Sequence, residues 1–517
     1  MSGEPAGLVT PLDTFLAEQA CLTAVERFSA LHDSGVADHG GLDRGSRYYK
    51  DLIPLEKPRP GEQYGFEVDL DACTGCKACV TACHNLNGLD EGESWRAVGL
   101  LHGGTPVEPL QQSVTTACHH CVDPACLNGC PTRAFDKDPV TGIVSHREER
   151  CLGCGYCTWT CPYEVPRLNE ARGVIRKCDM CQDRLAVGEA PGCVQACPNG
   201  AIRITTVDVA VLVAAAPGEA LLPTAPPSSM TVPTTSYHSH WGMPGELLAA
   251  DHLSVAPAEA HSPLAAMLVL TEVGIGSFVA GALFPGTVAD WLRGGGLALA
   301  AAGAAVSLGH LGHPGRAWRA LAGLRRSWLS REVAALGAFV ALGALALALG
   351  GGTLTAAASV VGIITLVSSA MLYVVTGRPC WGARHTFARF GTTALVGALA
   401  SALAAGAAPW TGWLLALAMV PNLGSEAAVF RHLGSPALTD LRRSAMILVG
   451  PLRSRTVWRL TLGLAGGVLL PVAVALGAGP TRLLALAAWA LVVAGEVVER
   501  SQFFRAAAWT AMPGVLD

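Results

Sequence analysis

Apolar residues are distributed in two different ways along this chain. After residue 262 they form long unbroken stretches, near 263–284, 294–312, 332–350, 354–376, 390–408, 411–430, 456–478 and 481–498. Each is close to the about 20 residues needed to cross a bilayer. A single such stretch is compatible with a buried soluble helix, but eight in succession, separated by Gly, Pro and Arg turns, predict a polytopic bundle. Before residue 262 the pattern is short and broken. From Pro11 to His32, Leu12, Phe15, Leu16, Leu22, Val25, Phe28 and Leu31 recur at helical spacing. They predict an amphipathic helix, either an arm packed on the cysteine-rich region or a dock for a partner. Short strands, Tyr64–Val68 and Ala201–Thr205, bracket a run of cysteine-rich loops. Residues 209–257 are rich in Pro, Ala, Ser and Thr, which predicts an extended linker that buries little apolar surface and runs over a neighbouring surface.

Composition sharpens the division. The 517 residues exceed one core at about 150 residues per domain. Seventeen of the 18 cysteines precede residue 200. The net charge of -4 comes with no basic stripe interleaved with aromatics, so nucleic-acid binding is not expected. Met1 to Thr10 shows no basic region, apolar core or twin-arginine pair, so no export address is expected here. Disulfide-rich secreted domains are short and lack regular CxxC spacing, which leaves metal ligation as the better use of these thiols.

The cysteines fall into four groups. These are Cys73-x2-Cys76-x2-Cys79-x3-Cys83, Cys118-x2-Cys121-x4-Cys126-x3-Cys130-Pro131, Cys151-x2-Cys154-x2-Cys157-x3-Cys161-Pro162 and Cys178-x2-Cys181-x11-Cys193-x3-Cys197-Pro198. The first has bacterial ferredoxin spacing, in which three thiolates grip one cubane and the fourth reaches a neighbouring one. Sixteen thiolates supply the four sets of four that four [4Fe-4S] clusters require. Zinc ribbons use CxxC pairs too, but not the x3-Cys-Pro ending that three of these groups carry. Cys21 and Cys380 remain, and both read as inert thiols.

The segments CTGCKACVTACH, CHHCVDPACLNGCPTRAF, CLGCGYCTWTCPYEVP and KCDMCQDRL…GCVQACPNGAI resemble the iron-sulfur subunit of the dimethyl sulfoxide reductase family of molybdoenzymes. The resemblance covers roughly residues 64–205 and implies how the groups share clusters. One cluster would take Cys73, Cys76, Cys79 and Cys197, and its pair Cys178, Cys181, Cys193 and Cys83. A third would take Cys118, Cys121, Cys126 and Cys161, leaving Cys151, Cys154, Cys157 and Cys130 for the fourth. His84, His119 and His120 adjoin these cysteines and read either as donors to cluster sulfur or as exposed loop histidines. Arg133, Arg176 and Lys177 either offset cluster charge or are simply solvated.

In the apolar half, polar residues mark function because ionisable groups in a bilayer are costly. Ser307-Leu-Gly-His310-Leu-Gly-His313-Pro314, Arg316-Ala-Trp-Arg319 and Ser327-Trp-Leu-Ser-Arg331-Glu332 resemble the membrane anchor subunit of the same family, over about 262–505. The resemblance implies a menaquinol site at His310 and Glu332, against the plainer reading of a capping histidine and a paired glutamate. Glu272, Glu426, Glu496 and Glu499 also lie in or beside spans. Pairings of Glu426 with Arg431 and Glu499 with Arg500 are the structural alternative to proton relays, and the four look scattered rather than arranged in a row. His310 and His313 share one helix end, while His385 and His432 fall in loops, so no haem is expected.

The expected fold is therefore an α+β ferredoxin-like four-cluster domain followed by an all-α bundle of about eight membrane helices. Its parts are an N-terminal helix and arm (1–60), the cluster domain (61–208), the linker (209–257) and the anchor (258–517). The expected role is an electron-transfer and anchor subunit between a separate molybdopterin catalytic subunit and membrane quinone, in a bacterial inner membrane, without substrate turnover alone. A quinone-coupled ion-translocating module is the alternative. Arg316, Arg319, Arg325, Arg326, Arg331, Arg378, Arg384, Arg442, Arg443, Arg453 and Arg455 crowd the loops on one side, which puts the cluster domain in the cytoplasm by the positive-inside rule. Many members of the family face outward instead.

Overall fold

The computed structural model describes residues 52–512 apart from 55, 106 and 244–246. The helix expected over 11–32, with Cys21, lies outside the described residues. Strand β1 (Glu62–Asp69) is the spine of the cysteine-rich half, buried along most of its length. It pairs antiparallel with β8 (Ile202–Asp208), Val68 opposite Ile202 and Glu62 opposite Asp208. The two strands predicted to bracket the cysteine loops are thus hydrogen-bonded neighbours, which brings the first and last cysteine groups together. Between them come the hairpin of β2 (Ala97–Gly104) and β3 (Pro109–Thr116), and two ribbons, β4–β5 (Phe135–Lys137, Val144–His146) and β6–β7 (Arg167–Asn169, Val174–Arg176).

The Pro/Ala/Ser segment runs over a neighbouring surface, as expected, but is buried there more than its composition predicts. Its β9 (Ser236–His238) pairs parallel with the second edge of β1, and β10 (Leu248–Ala249) extends the hairpin sheet. Leu222, Leu247 and Ala249 are buried with Val68, Leu101 and Val114, and Ser228, Thr231, Thr234 and Thr235 are buried too. Composition misled because the segment borrows its core from its neighbour. It needs few apolar residues of its own to seal an otherwise open sheet edge.

Among the described residues, eight helices are long and apolar enough to cross a membrane: Ser262–Ala280, Gly286–His310, Trp328–Leu349, Gly352–Val374, Ala383–Ala404, Thr411–Gly434, Arg453–Ala475 and Thr481–Arg505. They are called the first to eighth spans below. The last runs seven residues beyond the apolar stretch predicted to end at 498, because its late charged residues are paired inside the bundle. The seventh contains a π turn over Ala465–Leu469, followed by Pro471, a common cause of a helix kink. A short helix on the cysteine side, Asp440–Val449, was not foreseen.

The two halves meet at close quarters. A Cβ on Gly312, after the second span, would overlap the carbonyl of Gly173, so only glycine lets these backbones touch. The His313 amide donates to the Leu152 carbonyl at 3.0 Å, and the Arg316 guanidinium donates to the Cys151 carbonyl at 2.7 Å. Trp159 from the cysteine half stacks on Phe504 of the eighth span at 5.5 Å and meets Trp381 edge-on. The third cysteine group is therefore pressed against the membrane bundle.

Candidate functional site

Each cysteine loop is a tight turn that requires left-handed backbone. Gly75, Gly153 and Gly155 have φ near +70, and Lys77, Met180 and Cys181 adopt the same region without being glycine. The turns aim successive sulfurs inward and feed short helices at Ala78–Leu86 and Tyr156–Thr160.

Tertiary structure gathers the sixteen cysteines into four sets. Cys73, Cys76, Cys79 and Cys197 line one cavity (set A). Cys83, Cys178, Cys181 and Cys193 are mutual neighbours (set B). Cys118, Cys121, Cys126 and Cys161 line a second cavity (set C). Cys130, Cys151, Cys154 and Cys157 are mutual neighbours (set D). This is the grouping the family resemblance implied, with one cysteine of each set coming from a distant group.

The donors suit iron-sulfur clusters. Backbone amides of Ala134, Met180, Gly153 and Ala201 point at the sulfurs of Cys130, Cys178, Cys151 and Cys197 at 3.2–3.3 Å, the kind of hydrogen bond that tunes cluster potential. Among the described residues no group of three or more His, Cys, Asp or Glu closes on one metal ion. A cubane, with an iron at each of its ligated corners, holds its thiolates apart rather than at one point.

The sets form a row. Cys79 of set A neighbours Cys193 of set B, Cys178 of set B neighbours Cys118 of set C, and Cys126 of set C neighbours Cys157 of set D. Set A carries the exposed Cys76 at one end. Set D lies against the membrane helices at the other.

Charged and aromatic residues around the row sort differently from the sequence reading. His119 and His120 are buried at 2% and 0% exposure, not exposed loop residues. The Val144 amide donates to His120 Nδ1 at 3.0 Å, which leaves the proton on Nε2. That Nε2 has no protein partner, and both rings line the cavity of set C. Burial, with help from Arg96, pulls His119 down to about 3. Burial, with Lys177 next, pushes His120 well below its usual range. Both are therefore neutral donors.

Lys177 is buried, its ammonium donating to the Val144 and Cys178 carbonyls. Arg133 is exposed, and Arg176 pairs with Glu93 at 2.7 Å, so neither offsets cysteine charge alone. His84 contacts the Asp90 carbonyl at 3.3 Å. Arg96 was not foreseen. It lies buried among Cys79, Cys83, Cys178 and Cys193, held by Thr115 at 3.1 Å and by the face of Phe66 at 4.7 Å. No sequence signal marks it, since it sits between motifs at the start of β2.

On the membrane side of set D is a cavity of about 410 Å³, within the range of about 300–1,000 Å³ usual for small-molecule sites. His310, Glu332, Tyr156, Tyr373 and Cys154 all line it. Glu332 is buried on the third span with Ser369 beside it, and His310 Nδ1 is buried without a protein partner. The structure thus brings together the two residues that sequence reasoning singled out, and adds a cysteine of the nearest set.

The other glutamates pair differently from expectation. Glu426 binds Arg459 rather than Arg431, with Nε–Oε2 at 2.9 Å. Glu496 also binds Arg459, at 2.8 Å, and Glu272 binds Arg500, at 2.7 Å. Glu499 lies 3.6 Å from Arg500, as expected, and 3.3 Å from Arg389. Residues that look scattered along the chain form one cluster, because helix rotation turns them all to the same interior seam. Burial pushes the Cys380 thiol up to about 12, in keeping with an inert thiol.

Two family models match the chain: a 4Fe-4S dicluster domain over residues 111–207 and a DMSO reductase anchor subunit (DmsC) over residues 294–505. Over 154 residues the chain is 40% identical to the B subunit of anaerobic dimethyl sulfoxide reductase from Escherichia coli (strain K12), covering 28% of this chain and 75% of that protein. The iron-sulfur subunit of nitrate-inducible formate dehydrogenase from the same strain is 35% identical over 156 residues, 27% of this chain and 53% of that one. Hydrogenase-2 operon protein HybA of Escherichia coli O157:H7 is 37% identical over 175 residues, 29% of this chain and 53% of that one.

Proposed function

The chain belongs to the family of dimethyl sulfoxide reductase iron-sulfur subunits, with an anchor subunit of the same kind fused behind it, and we propose that it carries electrons between a separate molybdopterin catalytic subunit and membrane quinone. The observation that carries this reading is that Cys154 of set D shares a cavity with His310 and Glu332. Four [4Fe-4S] clusters, one in each cysteine set, supply one-electron steps along the row. The partner donates or accepts electrons at the set A end, where Cys76 is exposed.

A quinol in the cavity must give up two protons as it gives up two electrons. The apolar walls, among them Leu336, Val340 and Met267, hold its ring and exclude water. The His310 imidazole, whose Nδ1 has no protein partner, orients one quinol oxygen by a hydrogen bond, and the Glu332 carboxylate takes the two protons one at a time, releasing the first to water before it accepts the second. Arg96 and Lys177 balance thiolate charge inside the domain.

The test is direct. Anaerobically reconstituted chain should hold about 16 irons with matching acid-labile sulfide, and a short-chain naphthoquinol should bleach its visible absorbance. A colourless polypeptide would remove the proposal entirely. The arginine-rich loops on the cluster side support a cytoplasmic cluster domain in a bacterial inner membrane. Protease added to spheroplasts should then leave that domain intact, and its digestion would put it outside.

A further inference from the structure

Glu272, Glu496, Glu499, Arg459 and Arg500 are buried in the spans, and the partly buried Glu426 and Arg389 pair with them. Four carboxyls face three guanidiniums. An unpaired charge buried between membrane helices costs more than neutralising it, so the odd carboxyl must carry a proton. The members are joined without a gap. Arg500 donates to Glu272 at 2.7 Å and to the Thr393 hydroxyl at 3.2 Å. Thr393 donates to Glu496 at 2.6 Å, and Arg459 bridges Glu496 to Glu426.

The two ends of this chain of bonds differ. At Glu426 it reaches a cavity of about 60 Å³, also lined by His385, His432, Gln502 and Glu499, with room for several waters. Arg389 Nε, Arg459 Nη1 and both Glu499 carboxylate oxygens lack hydrogen-bond partners there, and such waters would satisfy them. Glu426, His385 and His432 lie at the cluster-side ends of their spans or in the loops beside them. The other end stops at Glu272, midway along the first span. Beyond it toward the far side, Val273 to Ala280 offer only Ser277 as a polar side chain, and the eighth span is apolar from Leu483 to Gly495. Tyr373 neighbours Arg500 and Glu272 of the network as well as Glu332 and Tyr156, and it lines the pocket that holds His310.

We infer that this Glu–Arg network holds one exchangeable proton and relays protons between the His310–Glu332 pocket and the aqueous face bearing the cluster domain. The relay half of the inference rests on the quinone reading above; the proton-holding half does not. With only one end open to water, the network moves protons to and from a single side and does not pump them across.

Infrared spectra of the detergent-solubilised full chain, taken in a Glu332→Gln background, test the first half. One protonated-carboxyl stretch is expected. Glu426→Gln leaves three carboxylates against three guanidiniums and should abolish it. Arg389→Gln leaves four against two and should double it, which keeps the test alive if Glu426→Gln does not fold. Absence of the band, or a band that both variants leave unchanged, overturns the inference. For the relay, cluster bleaching by a short-chain naphthoquinol should slow about tenfold or more in Glu426→Gln and Tyr373→Phe, and unchanged rates overturn it. A wild-type chain that naphthoquinol fails to bleach overturns the quinone reading and the relay together, while the infrared band still decides whether the network holds a proton.

Discussion

Replacing Cys157 with alanine should lower the iron content from about 16 to about 12 per chain and reduce quinol-driven bleaching of the remaining clusters to background. Cys157 belongs to set D, the set pressed against the bundle, and its neighbour Cys154 lines the membrane pocket. Sets C, B and A lie progressively farther from that pocket, so electrons from quinol reach them only through set D. The matching variant at the other end, Cys76→Ala, should lose about the same four irons yet keep quinol-driven bleaching of the other three sets. Iron analysis with anaerobic absorbance separates the two. Equal bleaching by both variants would refute a linear row.

Glu332→Gln should lower quinol oxidation about a hundredfold, the usual scale for losing a positioned general base, while binding of a quinol analogue changes little. His310→Ala should instead weaken that binding, because it removes an orienting hydrogen bond and leaves the proton acceptor in place. The pocket is otherwise apolar apart from the hydroxyls of Tyr156, Tyr373 and Ser307, the Trp159 indole and Cys154, so few other groups are placed to substitute. Stopped-flow oxidation and equilibrium titration on the same preparations give both numbers. Analogue affinity unaltered by His310→Ala would remove that residue from the site.

Much of this was legible in the sequence for a local reason. A CxxCxxC loop closes within about ten residues and a span is one helix, so neither needs distant contacts to announce itself. The eight spans and the two flanking strands were accordingly found close to where they lie. The end of the eighth span was missed because Glu499 and Arg500 end the apolar run, while the partners that let the helix carry them inside the bundle, Arg389 and Glu272, lie on other helices. The Pro/Ala/Ser segment was misjudged for the converse reason, since its burial depends on an edge of β1 that composition does not reveal. Arg96 was invisible because its partners, Cys79, Cys83, Cys178 and Cys193, come from loops spread over more than 100 residues.

By itself, then, the sequence determined the donor atoms, their spacing and the number of membrane crossings, all consequences of short-range covalent geometry and hydropathy. The family resemblance added which cysteines share a set and that His310 and Glu332 share a site, while only the tertiary structure decided in what order the sets run and that four separate glutamates join one network. Those are relations between surfaces distant along the chain, and they are fixed by how strands pair and how helices rotate against each other, which no local pattern encodes.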